Sequence, residues 1–385
     1  MADQDEGWND ELAEEVSVEN LDSLVVYSRD WTVDTILRQI EQDNIDLNPA
    51  FQRRNAWNDV KRSKLIESLI IGVPVPEIVL AEDLTKKKSF IVIDGKQRLL
   101  AIAGFMRPDT YGVWAQPKLK GLTTRQDLNG KTFVEITATD DDLRQLTNAD
   151  IRCTIITGYR SNAVLYDIFY RLNTGSVPLS SQELRQALYR GPFSELLITS
   201  TNDQLPVHDV LNLREPDNRL RDAEILLRYI SFSKFGPDYG GNLTPFLDES
   251  IRRINSDWAF EEAPVRALVE EFNLATSRLI EVFGERRVGR KFNENGWEVR
   301  FNRALFEVQA FYFGKLDDAT FAAIPSDQVV TAFEGFCRAS LEFRDSIETS
   351  TKNLKRYRTR YDHFQEFVNA VYGTQLDCVP LPVLA

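Results

Sequence analysis

The sequence predicts an α+β protein: a mixed αβ domain over residues 25–195, followed by an all-α helical domain over 196–373. Three observations predict it. Short β-rich runs alternate with helix-spaced apolar residues up to about residue 172, and only helical spacing recurs beyond 196. The chain has 385 residues, more than one hydrophobic core usually supports, about 250–300. Residues 1–24 are acidic and poor in turn signals, which suits a flexible tail, and 374–385, with Pro380 and Pro382, read as a second one.

The elements follow in order. The apolar run at 21–26 suits docking on the body or on a partner. Thr32 can cap a helix that aligns Val33, Ile36, Leu37 and Ile40. Asn48-Pro49 breaks the chain, and Asp59 is a candidate cap for an amphipathic helix over 59–71, stopped by Gly72-Val-Pro74-Val-Pro76. Strands at 77–81 and 89–93 flank a charged turn (Asp83, Lys86, Lys87, Lys88), and a helix follows over 97–105. The turn-rich stretch 107–150 contains a strand candidate at 131–135. A strand at 149–158 and a helix at 161–172 complete the pattern, and Ser180-Ser-Gln-Glu183 spells a capping box for a helix running to Tyr189. The second domain carries helical spacing at 222–232, 263–283, 299–313, 326–343 and 361–372, with no repeat of fixed period.

Composition narrows the function. Hydrophobic content of 43% and charged content of 27% are ordinary for a water-soluble fold, and no apolar run approaches the roughly 18 residues of a membrane span. The acidic N-terminus is unlike a signal peptide, so a cytoplasmic location is expected. Net charge is −13, yet nine acids and no Lys or Arg fall within residues 1–28, which leaves the rest of the chain near neutral. Local basic patches, and so a DNA-binding face, remain compatible with that balance. Three scattered cysteines exclude a disulfide framework and a zinc knuckle. His208 and His363 lie too far apart for a His-metal nuclease site, so the metal set stays unknown.

The stretch Ile91-Val-Ile-Asp94-Gly95-Lys96-Gln97-Arg98 carries the chemistry. A strand ending in Asp-Gly before a helix aims backbone N–H groups and the helix dipole at an anion. Gly95 permits a tight turn, Lys96 and Arg98 supply cationic contacts, and Asp94 can hold a divalent metal or a ribose hydroxyl. Gln97 can orient a water or read a base edge. The same spacing also fits a plain strand exit with Asp94 capping the helix. Two further segments add polar residues. Pro49-Ala-Phe51-Gln52-Arg53-Arg54-Asn55-Ala-Trp57 pairs arginines with aromatics, and Phe169-Tyr-Arg171-Leu-Asn173-Thr174-Gly175 places Arg171, Asn173 and Thr174 at a turn.

Taken together, these segments resemble the large prokaryotic family with an Asp-Gly-Gln-Gln-Arg motif and a ParB/sulfiredoxin-like fold. It includes the GmrS half of the modification-dependent restriction system GmrSD and the N-terminal half of the phosphorothioate-sensing SspE. The matches run through Asn48-Pro49-x-Phe51-Gln52-Arg53-x-x-x-Trp57, Leu65-Ile66-Glu67-Ser68-Leu69-x-x-Gly72-x-Pro74-x-Pro76, Ile93-Asp94-Gly95-Lys96-Gln97-Arg98, Phe169-x-Arg171-Leu172-Asn173-Thr174-Gly175 and Leu220-Arg221-Asp222-x-Glu224-x-x-Leu227-Arg228. They cover about residues 30–235.

The resemblance implies a nucleoside triphosphate, with Mg²⁺, bound and in several relatives hydrolysed at the motif to control nuclease attack on foreign or modified DNA. Matching positions make Asp94, Gln97 and Arg98 the catalytic candidates. Arg53, Asp94, Gly95, Lys96, Gln97, Arg98, Asn173 and Thr174 make the nucleotide site. Lys96 departs from the family's usual Gln, which favours binding over turnover. The sulfiredoxin cysteine has no counterpart near the motif, and the histidines of the fused nuclease domains are missing, so cleavage would need a partner subunit.

Two basic runs are candidate DNA contacts: Arg286, Arg287, Arg290 and Lys291, and the 352–360 stretch with Lys352, Lys355, Arg356, Arg358 and Arg360 around Tyr357 and Tyr361. Three functions fit. The first is an NTP-responsive, DNA-sensing or regulatory subunit of an anti-phage restriction-type system. The others are an NTPase switch in a signalling or toxin–antitoxin-like pair without DNA contact, and a ParB-like nucleotide-gated clamp closing as a homodimer on DNA.

Overall fold

The computed structural model describes residues 23–47, 57–137, 140–172, 180–348 and 354–376. The chain divides into two compact units between Leu188 and Tyr189, seven residues before the boundary expected from the sequence.

The first unit is mixed α and β. Its elements are β1 (Val25–Thr32), α1 (Val33–Glu41), α2 (Asp59–Ile70), β2 (Ile78–Glu82), β3 (Phe90–Asp94), α3 (Lys96–Met106), α4 (Phe133–Thr137), α5 (Asp140–Asn148), β4 (Asp150–Thr157), α6 (Asn162–Leu172) and α7 (Ser181–Leu188). The sheet order is β1-β4-β2-β3; β4 pairs antiparallel with β1 and parallel with β2, and β3 returns antiparallel along β2. Strand alternation sends neighbouring residues to opposite faces. Ile78, Leu80, Val92, Cys153 and Ile155 join α1, α2 and α3 in one core, while Val79, Ala81, Ile91, Ile93 and Ile156 join α6 and α7 in another. Covering both faces makes β2 nearly fully buried, which explains its unbroken apolar run.

Local signals account for most boundaries. Thr32 Oγ1 accepts from the Thr35 amide and starts α1. The cap of α2 is Asn58 rather than Asp59, which lies inside the first turn, buried and ion-paired with Arg62 and Lys120. Burial raises the Asp59 carboxyl, but Lys120 and Arg62 outweigh it and hold the group below the usual range. Residues 131–135 are not a strand. Thr132 Oγ1 accepts from the Glu135 amide and Glu135 Oε2 accepts from the Thr132 amide, a capping box that opens α4. The box at Ser180 and Glu183 forms as the sequence predicts. β1 had no counterpart in the sequence reading, because its edge position leaves Val25 and Val26 exposed and removes the apolar alternation.

The second unit contains α8 (Pro192–Ser200), α9 (Pro206–Val210), α10 (Arg221–Phe235), α11 (Leu243–Ser256), α12 (Trp258–Phe283), β5 (Arg290–Asn293), β6 (Gly296–Phe301), α13 (Arg303–Lys315), α14 (Asp318–Ala322), α15 (Ser326–Ala339), α16 (Leu341–Glu348) and α17 (Leu354–Tyr372). Its core is aromatic, with Phe232, Phe272, Phe306, Phe333, Phe364 and Tyr312 buried together. Among the described residues its one sheet is the β5–β6 hairpin, so 299–302 is not part of the expected helix; Asn302 caps α13 instead. The 326–343 helix is also broken, since Ser340 ends α15 and its hydroxyl accepts from the Phe343 amide at the start of α16. Among the described residues, no helix is long and apolar enough to cross a membrane.

Candidate functional site

The strand–turn–helix expected around Asp94 is present. β3 ends at Asp94, Gly95 takes a left-handed conformation (φ 97°), and α3 begins at Lys96. A side chain at 95 would meet Ile78 Cγ1 at 3.0 Å and Arg98 Nη2 at 3.2 Å, so both backbone angle and space select glycine. The N-cap residue of α3 is Gly95, which makes no side-chain cap hydrogen bond. The plain reading, with Asp94 as the cap, therefore does not hold.

Asp94 is engaged differently. Arg98 Nη2 donates to Asp94 Oδ2 at 2.7 Å and to the Glu77 carbonyl at 2.8 Å, tying the first turn of α3 to the residue that enters β2. The Arg98 side chain is 9% exposed, while that of Asp94 keeps 33% exposure. Arg98 thus braces the turn rather than extending into solvent. Its Nε and the Gln97 Oε1 are buried without a hydrogen-bond partner among the described residues, two polar atoms with unmet capacity beside the helix start. Burial pushes the Lys96 ammonium down to about 8, against the opposing pull of Glu183 and Asp46. At neutral pH the turn still presents a mostly protonated cation.

Arg53, Asn173 and Thr174 lie outside the described residues, as does Lys352. Arg171 is exposed at the end of α6 and ion-pairs with Asp167 at 2.8 Å. Glu67, from the second matching segment, is buried and its Oε1 accepts from the amides of Thr124 and Arg125, so its part is to pin the 121–129 loop onto α2.

The two basic runs each divide into exposed and buried members. Arg286 and Arg287 are exposed, with Arg287 stacked on Trp297, and Lys291 bridges Glu298 and Glu348. Arg290 is withdrawn from any DNA-facing role: its guanidinium is buried and donates to the carbonyls of Val288, Val299 and Val210. Lys355 is exposed, Arg356 half-buried, and Arg358 pairs with Asp362. Arg360 is also withdrawn, because it lies 2% exposed beside Glu307. Tyr357 and Tyr361 are core residues, and burial pushes both phenols up.

One polar assembly went unforeseen. Glu307 of α13 accepts from Arg228 at 2.9 Å and from the Tyr361 hydroxyl at 3.3 Å, with Arg360 at 3.6 Å. Glu224 accepts from Arg303 at 3.0 Å. Nearby, His208 Nδ1 accepts from the Leu205 amide, so its Nε2 carries the proton toward Asp222 Oδ2 at 2.9 Å. The motif residues Asp222, Glu224 and Arg228 thus organise the helical interior. Among the described residues, no group of His, Cys, Asp or Glu side chains could hold a metal ion.

Residues 33–190 match the family model described as GmrSD restriction endonuclease, N-terminal domain. No curated protein and no solved structure is matched by the chain.

Proposed function

We propose that this chain binds a nucleoside triphosphate at the Asp94–Arg98 turn and acts as the DNA-sensing, regulatory subunit of a restriction-type anti-phage system, leaving cleavage to a partner. The observation that carries this reading is the start of α3 at a left-handed glycine, Gly95, followed at once by Lys96, inside the segment that matches the restriction-endonuclease domain. A helix N-terminus without a side-chain cap favours an anion through its amides and its dipole. Lys96 adds charge, and a bound phosphate would raise its lowered pKa by favouring the ammonium.

The orphaned atoms fit such a ligand. Gln97 Oε1 would accept from a hydroxyl or a bound water, and Arg98 Nε would donate to an oxygen. Asp94, held through Oδ2 by Arg98, keeps Oδ1 for the water shell of Mg²⁺. Mg²⁺ would be held mainly by the phosphates. The nucleotide supplies a removable negative charge at the turn, a common basis for switching. Because Arg98 links that turn to Glu77, charge arriving at α3 bears directly on the entry to the sheet.

A thermal-shift panel tests this reading. A nucleotide that binds only the native state raises the melting temperature with concentration. We expect at least one Mg²⁺–NTP to do so. If none shifts the transition at millimolar concentration, the nucleotide reading is lost.

A further inference from the structure

A concave site lies in the first unit, at the opposite end of β3 from the Asp94 turn. It is a groove of about 450 Å³ lined by Tyr27, Arg29 and Trp31 of β1, Gln39 and Asn44 at the end of α1, and Glu82, Lys88 and Phe90 around the β2–β3 turn. β1 and β3 are at opposite ends of the sheet order, yet Trp31 and Phe90 meet edge to face with centroids 5.8 Å apart. The sheet is therefore curled, and the groove forms where its two edges approach.

Its chemistry is unusual for bare surface. Tyr27 is 38% exposed although it is aromatic and on a strand. The Arg29 guanidinium lies 5.2 Å from the Tyr27 ring centroid and 5.6 Å from that of Trp31. Among the described residues it meets no carboxylate. Asn44 Nδ2 donates to Gln39 Oε1 at 3.1 Å, which holds one amide donor and one amide acceptor at the wall. Lys88 lines the groove in a left-handed conformation (φ 60°), and Lys86 and Lys87 stand on the same turn. Glu82 is the opposing charge, with Oε2 occupied by the Thr157 hydroxyl.

We infer that this groove seats an unpaired nucleobase of a DNA strand. Aromatic faces that stack a base, amides that read its edge and cations that meet the flanking phosphates are the three parts such recognition needs. The Arg29 guanidinium, lying against both rings, extends them with a planar cationic face on which a base can also stack. Chain-wide charge cannot recruit DNA at −13, so contact must come from a local arrangement of this kind. The inference deepens the DNA-sensing half of the proposed function and rests on it; the nucleotide half is independent.

Fluorescence anisotropy of a short labelled single-stranded oligonucleotide against the full chain, at low ionic strength, tests it. Tyr27→Ala and Arg29→Ala should each weaken binding about tenfold or more, as loss of one base–aromatic stack does, whereas Tyr27→Phe should bind as wild type. An oligonucleotide carrying 5-iodouracil should crosslink to the β1 peptide. Folding of each variant is checked by circular dichroism, and Arg29→Ala, at an exposed position, serves if Tyr27→Ala fails to fold. If both variants bind as wild type, the groove is not the base site, while DNA sensing stands. If wild type binds neither single-stranded nor duplex DNA, the inference and the DNA-sensing reading both fall, and the nucleotide titration is untouched.

Discussion

Arg98 and Asp94 face each other across the first turn of α3 at 2.7 Å, and the same guanidinium nitrogen reaches the Glu77 carbonyl. One side chain therefore couples the end of β3, the start of α3 and the entry to β2. This makes Arg98 a positioning residue at the turn.

Removing it should cost stability. Arg98→Ala removes the donor to the Glu77 carbonyl and the charged partner of Asp94, so a loss of about 1–3 kcal/mol is expected. Urea unfolding followed by circular dichroism measures it. A change below about 0.5 kcal/mol, the usual range for inert surface substitutions, would show that the brace is dispensable.

Lys96 sets a pH dependence. Its folded pKa, about 8, lies below the ordinary 10.5, so between those values the unfolded chain binds the extra proton. The contribution of this group therefore becomes more favourable as pH rises from 8 to 10.5. Lys96→Gln removes the penalty and should stabilise the protein at pH 7 by on the order of 1–3 kcal/mol. Melting curves of both proteins at pH 7 and 10 should show the difference shrinking at the higher pH. A constant difference would contradict it.

Much of this was legible in the sequence, for definable reasons. The Asp94-Gly95 turn and the Ser180–Glu183 box are local, and local chemistry decides them. Thr132 and Glu135 carried the same signal, but the β-prone Phe133-Val134 obscured it. Arg360 read as part of a charge run, although it shares a helical stripe with Tyr357, Tyr361 and Phe364, all of them core. Its partner Glu307 is 53 positions away, a pairing that no local pattern reveals. β1 and the curl that forms its groove likewise depend on β4, more than a hundred residues downstream.

Glu307 anchors the helical unit. Glu307→Ala removes the carboxylate that buried Arg228 and Arg360 share and should cost about 3–5 kcal/mol. Chemical denaturation monitored by tryptophan fluorescence provides the number. A cost under about 1 kcal/mol would mean that the cluster relaxes to solvent.

The two described cysteines should be inert. Burial pushes the thiols of Cys153 and Cys337 up to about 12, so neither offers thiolate near neutrality. In a Cys378→Ser background, a thiol reagent at pH 8 should label neither in the native protein and both in denaturant. Rapid native labelling would place one of them at the surface.

The most direct test of the nucleotide site is calorimetric titration of Mg²⁺–NTP into wild type, Asp94→Asn and Lys96→Ala at pH 7. Saturable binding near one nucleotide per chain is expected for wild type, with at least about tenfold weaker binding in both variants if each loses one charged contact. Equal affinity in all three proteins would place the nucleotide elsewhere, and heat from dilution alone would contradict the account.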